Sequence, residues 1–163
     1  MSGFDGMVRF VAFSLDGTTV AGSDGVTIAL WDIFSGRVST KMKLADRPAE
    51  HLAMSTNGRF FSASIGRQLT TWDMNSGQLV SRVEHSQRIS RLTYLDSARL
   101  AVAGKGQVQI ITSANGDVLS YVDTQPALGI QVLVSVRDAR HIAVVAAAPG
   151  QPLEVFRLPA LGD

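Results

Sequence analysis

Short apolar runs alternate with turn-forming residues along most of the chain, and this pattern predicts β-strands. In the first part of the chain, glycine, aspartate and serine residues separate four such runs: Val8–Ser14, Thr18–Gly22, Thr27–Asp32 and Val38–Leu44. No helical periodicity is sustained over a comparable length. We therefore expect an all-β protein whose antiparallel strands follow one another in a meander.

The four-strand unit recurs along the sequence. Gly17, Trp31 and Gly36 are followed 41 residues later by Gly58, Trp72 and Gly77. A fixed period of about 40–45 residues is typical of β-propeller blades. The sequence predicts one domain over residues 1–163, a propeller-like array of about four four-stranded antiparallel blades with the last one incomplete, in units of about 8–44, 49–84, 89–123 and 130–158.

Pairs of turn-forming residues mark the first hairpin of each of the first two units. Asp16-Gly17 occupies this place in the first unit and Asn57-Gly58 in the second. Asp-Gly and Asn-Gly favour two-residue hairpin turns because these turns require a positive φ. We therefore expect a tight two-residue hairpin at Asp16-Gly17 and a turn at Asn57-Gly58.

The motifs of the first two units resemble those of the WD40-repeat family. The resemblance rests on Phe13-Ser14-Leu15-Asp16-Gly17, on Gly22-Ser23-Asp24-Gly25, and on the pairs Trp31-Asp32 and Trp72-Asp73, each followed by Ser-Gly. It covers about residues 8–158 and weakens towards the fourth unit. It implies a β-propeller that binds proteins and catalyses no reaction. Quinoprotein-like or lactonase-like propellers and a non-propeller β array are the alternatives.

The family's bracing hydrogen-bond network is complete in none of the units. The resemblance implies a histidine before the innermost strand that bonds an aspartate in the second turn of the same blade. His85 matches the histidine, but Lys105 stands where the third unit needs the aspartate; Asp24 is present without its histidine. We expect apolar packing and backbone ladders to hold these blades together.

The fourth unit contains three predicted strands, whereas the others contain four. Such an array is expected to be an open arc or part of a larger ring, with unpaired strand edges and uncovered apolar faces on its first and last blades. We expect a second chain to complete the ring, either as a homodimer or as a heteromer. A compact monomer in solution would contradict this expectation.

Composition narrows the choice of partners. The chain has 163 residues, 45% of them hydrophobic, a formal net charge of +1 and no cysteine. The near-neutral charge does not favour nucleic-acid binding, and no apolar run approaches the roughly 20 residues that cross a bilayer. The absence of cysteine and of a secretory pattern at the N-terminus agrees with a cytoplasmic location.

The residues that could in principle catalyse a reaction or bind a metal are better explained by roles in turns and packing. His51, His85 and His141 lie far apart in sequence and form no metal-binding motif. Asp32 and Asp73 are expected to hold turn amides, and Trp31 and Trp72 to pack between blades, since Ile111 and Phe156 replace them in later units. Gly104-Lys105-Gly106 is expected to be a turn. We expect no catalytic residue, cofactor or metal.

The loops between units carry the residues that are candidates for partner binding: Arg47, Glu50, His51, Arg67, Arg88 and Lys105. Arginine and lysine suit an acidic or phosphorylated partner. The hypothesis is a non-catalytic interaction scaffold within a multi-chain assembly. The alternatives are a propeller-fold enzyme of lactonase or quinoprotein type, or a subunit of a nucleic-acid-associated complex.

Overall fold

The computed structural model describes residues 4, 6–14, 16–44, 46–124, 130–135, 141–146 and 153–158. The described residues form β-strands and their connections, and none of them lies in a helix. The first two sheets, blades 1 and 2, comprise β1 (Phe10–Phe13), β2 (Thr19–Ser23), β3 (Thr27–Asp32), β4 (Val38–Lys43), β5 (His51–Met54), β6 (Phe60–Ile65), β7 (Gln68–Asp73) and β8 (Gln78–Glu84).

Blades 3 and 4 continue the same plan. They comprise β9 (Arg91–Tyr94), β10 (Arg99–Ala103), β11 (Gln107–Thr112), β12 (Val118–Asp123), β13 (Ile130–Ser135), β14 (His141–Ala146) and β15 (Leu153–Arg157). In each sheet, strands that are consecutive in sequence pair antiparallel. The described residues thus form three four-stranded sheets and one three-stranded sheet, which confirms the predicted fold class.

The first strand of each blade lies innermost, because β1, β5, β9 and β13 contact one another in succession. Within the described ranges, no strand of blade 4 pairs with a strand of blade 1, so the array is open.

Three apolar cores lie between neighbouring blades. Side chains on a strand alternate between the two faces of a sheet, so each blade presents one face to the blade before it and the other to the blade after it. Leu30 and Phe61 lie in the core between blades 1 and 2, Leu69 and Leu100 in the next, and Ile110 with Ile142 in the third. Burial of these faces supplies the main stabilisation of the array.

The predicted two-residue hairpin between β1 and β2 is wrong. The loop is longer: the Ser14 amide donates to the Thr19 carbonyl at 2.9 Å, which leaves four residues between them. Polar side chains within the loop explain this length, because the Ser14 hydroxyl donates to Asp16 Oδ1 at 2.6 Å and the Thr18 amide to the same oxygen at 3.0 Å. The β5–β6 loop repeats this geometry around Asn57.

Candidate protein-interaction surfaces

Large apolar residues share one register position on the third strand of successive blades. Trp31 pairs with Val20, Trp72 with Phe61 and Ile111 with Leu100. Trp72 belongs to the core between blades 1 and 2, and Ile111 to the core between blades 2 and 3. This position therefore points towards the preceding blade.

Trp31 occupies this position on blade 1, where the structure describes no preceding blade. The Phe4 ring contacts its indole edge to face, with centroids 5.7 Å apart, and Gly22 leaves room for the indole beneath it. Around Trp31, the side chains of Val11 and Phe13 are 59% and 67% exposed. Trp31 itself is buried, and we call the exposed residues beside it, Val11, Phe13 and Val38, the open face of blade 1.

The corresponding residues of blades 2 and 3 are partly or fully covered. Leu92 and Tyr94 hold the positions of Val11 and Phe13 in blade 3, and they are only 8% and 3% exposed because blade 2 packs against them. In blade 2, Leu52 and Met54 pack against the core shared with blade 1. The exposure of the blade 1 residues thus follows from the lack of a described neighbour.

Aspartates of the repeat bind turn amides. Asp32 Oδ1 accepts from the amide and the hydroxyl of Ser35, both at 2.7 Å, and Asp73 Oδ1 accepts from the Asn75 amide at 2.9 Å. Hydrogen bonds from Ser35 lower the pKa of Asp32, and the Arg59 guanidinium, 2.9 Å from Asp73, lowers the pKa of that carboxyl. These carboxylates are ionised and engaged in turns, so they are poorly suited to act as general acids.

The other turn aspartates have similar surroundings. The Ser14 hydroxyl, and then the Thr18 amide, lower the pKa of Asp16. For Asp24, partial burial opposes ionisation, but the amides of Thr27 and Val26, at 2.7 and 2.9 Å, lower its pKa overall. Asp24 thus closes the β2–β3 turn through the backbone amides of Val26 and Thr27.

His85 is buried between the end of β8 and blade 3. Its amide donates to the Arg67 carbonyl at 2.9 Å, and its ring Nδ1 lies 3.1 Å from Gln109 Oε1. Burial lowers the pKa of His85, so the ring is neutral near pH 7. The resemblance implies an aspartate as the partner of this histidine, but Lys105 stands in its place. Gln109, on β11, is the partner instead.

The His85 ring also borders a small cavity of about 20 Å³. Its Nε2 is buried and has no hydrogen-bond partner within the described part of the chain. A cavity of this size accommodates about one water molecule. The ring is therefore held from one side by Gln109 and has space for a solvent partner on the other.

Four of the six residues predicted to bind partners lie together. Glu50, His51, Arg88 and Lys105 line an open concavity of about 550 Å³ beside the innermost strands β5 and β9, which we call the inner concavity. Arg88 Nη2 donates to Glu50 Oε1 at 2.9 Å. Arg91 also lines it; the sequence analysis did not identify this residue, although it lies on the predicted strand that follows Arg88.

The electrostatics of the inner concavity are mainly cationic. Burial, and then the positive charge of Arg91, lower the pKa of His51, so this side chain is neutral near pH 7. Glu50 is the acidic residue of the lining, and its carboxylate is already bonded to Arg88. Arg88, Arg91 and Lys105 thus give the lining more positive than negative charge.

Arg67 and Arg47 lie outside the inner concavity. Arg67 Nε donates to the His85 carbonyl at 2.8 Å and lies 3.6 Å from Glu84 Oε1, so it braces the end of β8. Arg47 lines a different depression of about 360 Å³ between blades 1 and 2. We call it the rim groove; its lining also includes Leu44, Asp46, Ala49, Ala63, Ile65, Gln68, Thr70, Trp72 and Arg82.

Within the described ranges, no three histidine, aspartate or glutamate side chains come together as a metal site. Nor do those ranges contain a helix long and apolar enough to cross a membrane.

A network of buried hydroxyl groups was missed by the sequence analysis. Ser62 Oγ lies 2.8 Å from Thr71 Oγ1 and 2.8 Å from Tyr94 Oη, which joins blade 2 to blade 3. Burial raises the pKa of Tyr94, so its hydroxyl stays protonated. The signal in the sequence is weak, because Ser62 and Tyr94 lie 32 residues apart.

Comparison with known proteins gives information on the fold. No family model matches the sequence. No curated protein matches it either. Among solved structures, U3-55K, a WD40 protein, superposes with a TM-score of 0.77 at 15% sequence identity over 99% of this chain and 52% of its own. The chain thus spans about half the length of that protein. Together with the stacked antiparallel sheets, this similarity shows that the chain has a WD40-like β-propeller fold.

Proposed function

We propose that this protein is a non-catalytic interaction scaffold of WD40 type, and that a second protein chain covers the open face of blade 1 and extends the propeller. The observation that carries the proposal is the exposure of Val11 and Phe13 at positions that are covered in blades 2 and 3. Exposed apolar patches of this kind mark sites of protein association.

The chemistry of the repeat residues agrees with a role in binding. Asp32 and Asp73 accept hydrogen bonds from turn amides. The two tryptophans pack against apolar groups. Two of the three histidines are neutral through burial, and within the described residues they lie in separate surroundings. These arrangements favour a scaffold over the enzyme alternative.

The positive inner concavity supplies a further surface for an acidic partner. Arg91 and Lys105 line it beside the Arg88–Glu50 ion pair. Charge complementarity of this kind raises association rates and selects partners by sign. The similarity to U3-55K supports the fold on which these surfaces stand.

Native mass spectrometry of the purified protein tests the proposal, with and without Phe13→Ser. We expect a multi-chain species for the unsubstituted protein, and its loss in Phe13→Ser, because a serine removes the exposed aromatic group from the open face. Tyr121→Ser on the outermost strand of blade 3 is the matched control, since Tyr121 is similarly exposed at 57%. A compact monomer at every concentration, or equal loss in both variants, would contradict the proposal.

A further inference from the structure

We propose that the rim groove is a second binding site, which takes an extended acidic segment of a partner protein with an apolar side chain at its centre. This inference rests on the proposed interaction role, but it concerns a surface separate from the open face of blade 1 and from the inner concavity. It follows from the construction of the groove, from its charges and from its floor.

Two elements of the fold form the walls of the groove. One wall is the segment that links blade 1 to blade 2 and carries Arg47. The other is β8, the outermost strand of blade 2, from which Arg82 projects on the same face as its partner Thr70 on β7. Strand β7 lies between them as the floor. The volume of about 360 Å³ falls within the range of about 300–1,000 Å³ for ligand sites.

The charges on the walls are positive and available. Arg47 and Arg82 are exposed, and neither forms an ion pair with any residue in the described ranges. Asp46 is the acidic residue of the lining, and its carboxylate is held by Lys43 Nζ at 2.6 Å. In the inner concavity, by contrast, Arg88 is already bonded to Glu50. The guanidinium group matches a carboxylate with two parallel hydrogen bonds, so the groove is complementary to an acidic partner.

The floor of the groove is apolar. Leu44, Ala49, Ala63 and Trp72 are buried there, and Ile65 is half-buried. Tryptophan and arginine are the residue types that most often dominate the energy of protein interfaces. An apolar floor between two arginines suits a peptide with one apolar side chain flanked by carboxylates. It suits a nucleic acid less well, because a phosphate backbone brings no apolar side chain to fill the floor.

Trp72 provides a spectroscopic reporter of occupancy. The chain contains two tryptophans, so Trp31→Phe leaves Trp72 as the single one. This variant is titrated with a short peptide in which a central leucine is flanked by glutamates, and with the same peptide carrying glutamines. Calorimetry on the unsubstituted protein measures the same two affinities without relying on fluorescence.

We expect the glutamate peptide to change the emission of Trp72 saturably. The glutamine peptide should bind at least about ten-fold more weakly, because a hydrogen bond from arginine to a carboxylate is stronger than one to a neutral amide. Arg82→Glu and Arg47→Glu should each weaken binding on the order of ten-fold or more. Arg37→Glu, an exposed arginine in the β3–β4 turn, makes the same change in net charge away from the groove and should leave the affinity unchanged.

Several results would overturn the inference: no saturable binding by either method, equal affinity for both peptides, or equal weakening by Arg37→Glu. Binding lost in Lys105→Glu and kept in Arg82→Glu would place the peptide in the inner concavity and also overturn it. Equal displacement by a short polythymidine strand would show general anion attraction. If native mass spectrometry still shows an association that depends on Phe13, the failure concerns the groove and leaves the proposed scaffold function standing.

Discussion

Alanine at Gly116 should destabilise the protein more than alanine at Gly77, although both glycines occupy the same position in the turn between the third and fourth strands of a blade. The Gly77 amide donates to the Asp73 carbonyl at 2.8 Å, and the Gly116 amide to the Thr112 carbonyl at 3.0 Å. Their φ angles are also alike, at +69° and +79°. The two turns differ in what lies beside them.

The magnitude follows from the two surroundings. A residue with a Cβ atom costs roughly 1–2 kcal/mol in the left-handed conformation, and this cost applies at both positions. At Gly77 a new Cβ would meet nothing within 4 Å, whereas at Gly116 it would overlap the Val83 Cγ2 methyl and lie 3.3 Å from Val83 Cβ. Overpacking adds about 1–3 kcal/mol. We therefore expect losses of about 1–2 kcal/mol for Gly77→Ala and about 2–5 kcal/mol for Gly116→Ala.

Urea unfolding of both variants measures these free energies. Val83→Ala removes the overlapping methyl groups, so a double-mutant cycle with Gly116→Ala should show a favourable coupling, and the same cycle with Gly77→Ala should show none. Val83 lies on β8 of blade 2, so the coupling measures a contact between two blades. Equal losses for the two glycines, or no coupling with Val83, would refute the reasoning.

Three further predictions concern the buried groups. Burial lowers the pKa of His51 and His85 from 6.5. Below about pH 6.5 the unfolded chain therefore binds more protons than the folded chain, and the free energy of unfolding should decrease as the pH is lowered. Urea unfolding across this range should show a shallower fall in His85→Gln; an unchanged slope would contradict the assignment. Tyr94→Phe should cost about 1 kcal/mol in urea unfolding, because Ser62 retains Thr71 as a partner; a loss as large as that of a core deletion would argue against this. Phe61→Ala removes a fully buried ring and should cost about 3–5 kcal/mol, measured in the same way; a smaller loss than that of Tyr94→Phe would be inconsistent with its place in the core.

The strand positions could be predicted from the sequence because they follow from local pattern. Strand β3 has the bounds that the alternation and the turn residues predict, Thr27–Asp32. The innermost strands begin later than predicted: β1 begins at Phe10, not at Val8, and β9 begins at Arg91, two residues after the predicted start of its unit at about residue 89. Ile89, just before β9, is apolar because it is buried in the core between blades 2 and 3, not because it belongs to the strand.

The relations between blades could not be predicted in the same way. Arg47 and Arg67 occupy loops like those of Arg88 and Lys105, yet only the latter two join the inner concavity, since Arg67 is held by the His85 carbonyl. The repeat fixes where a loop lies, but the direction of a long side chain depends on partners from other parts of the chain. The contact of Phe4 with Trp31 is of the same kind.

The open face of blade 1 also determines the order in which the molecule should loosen. In a linear array, stability is approximately the sum of the intrinsic stability of each unit and the interaction terms between nearest neighbours. Blade 2 is coupled to two described neighbours, and blade 1 to one. Local opening should therefore reach blade 1 before blade 2, with the amides of blade 1 exchanging hydrogen faster than those of β6 and β7. A partner bound to the open face would add the missing interaction term and slow exchange throughout blade 1, including strands that it does not touch.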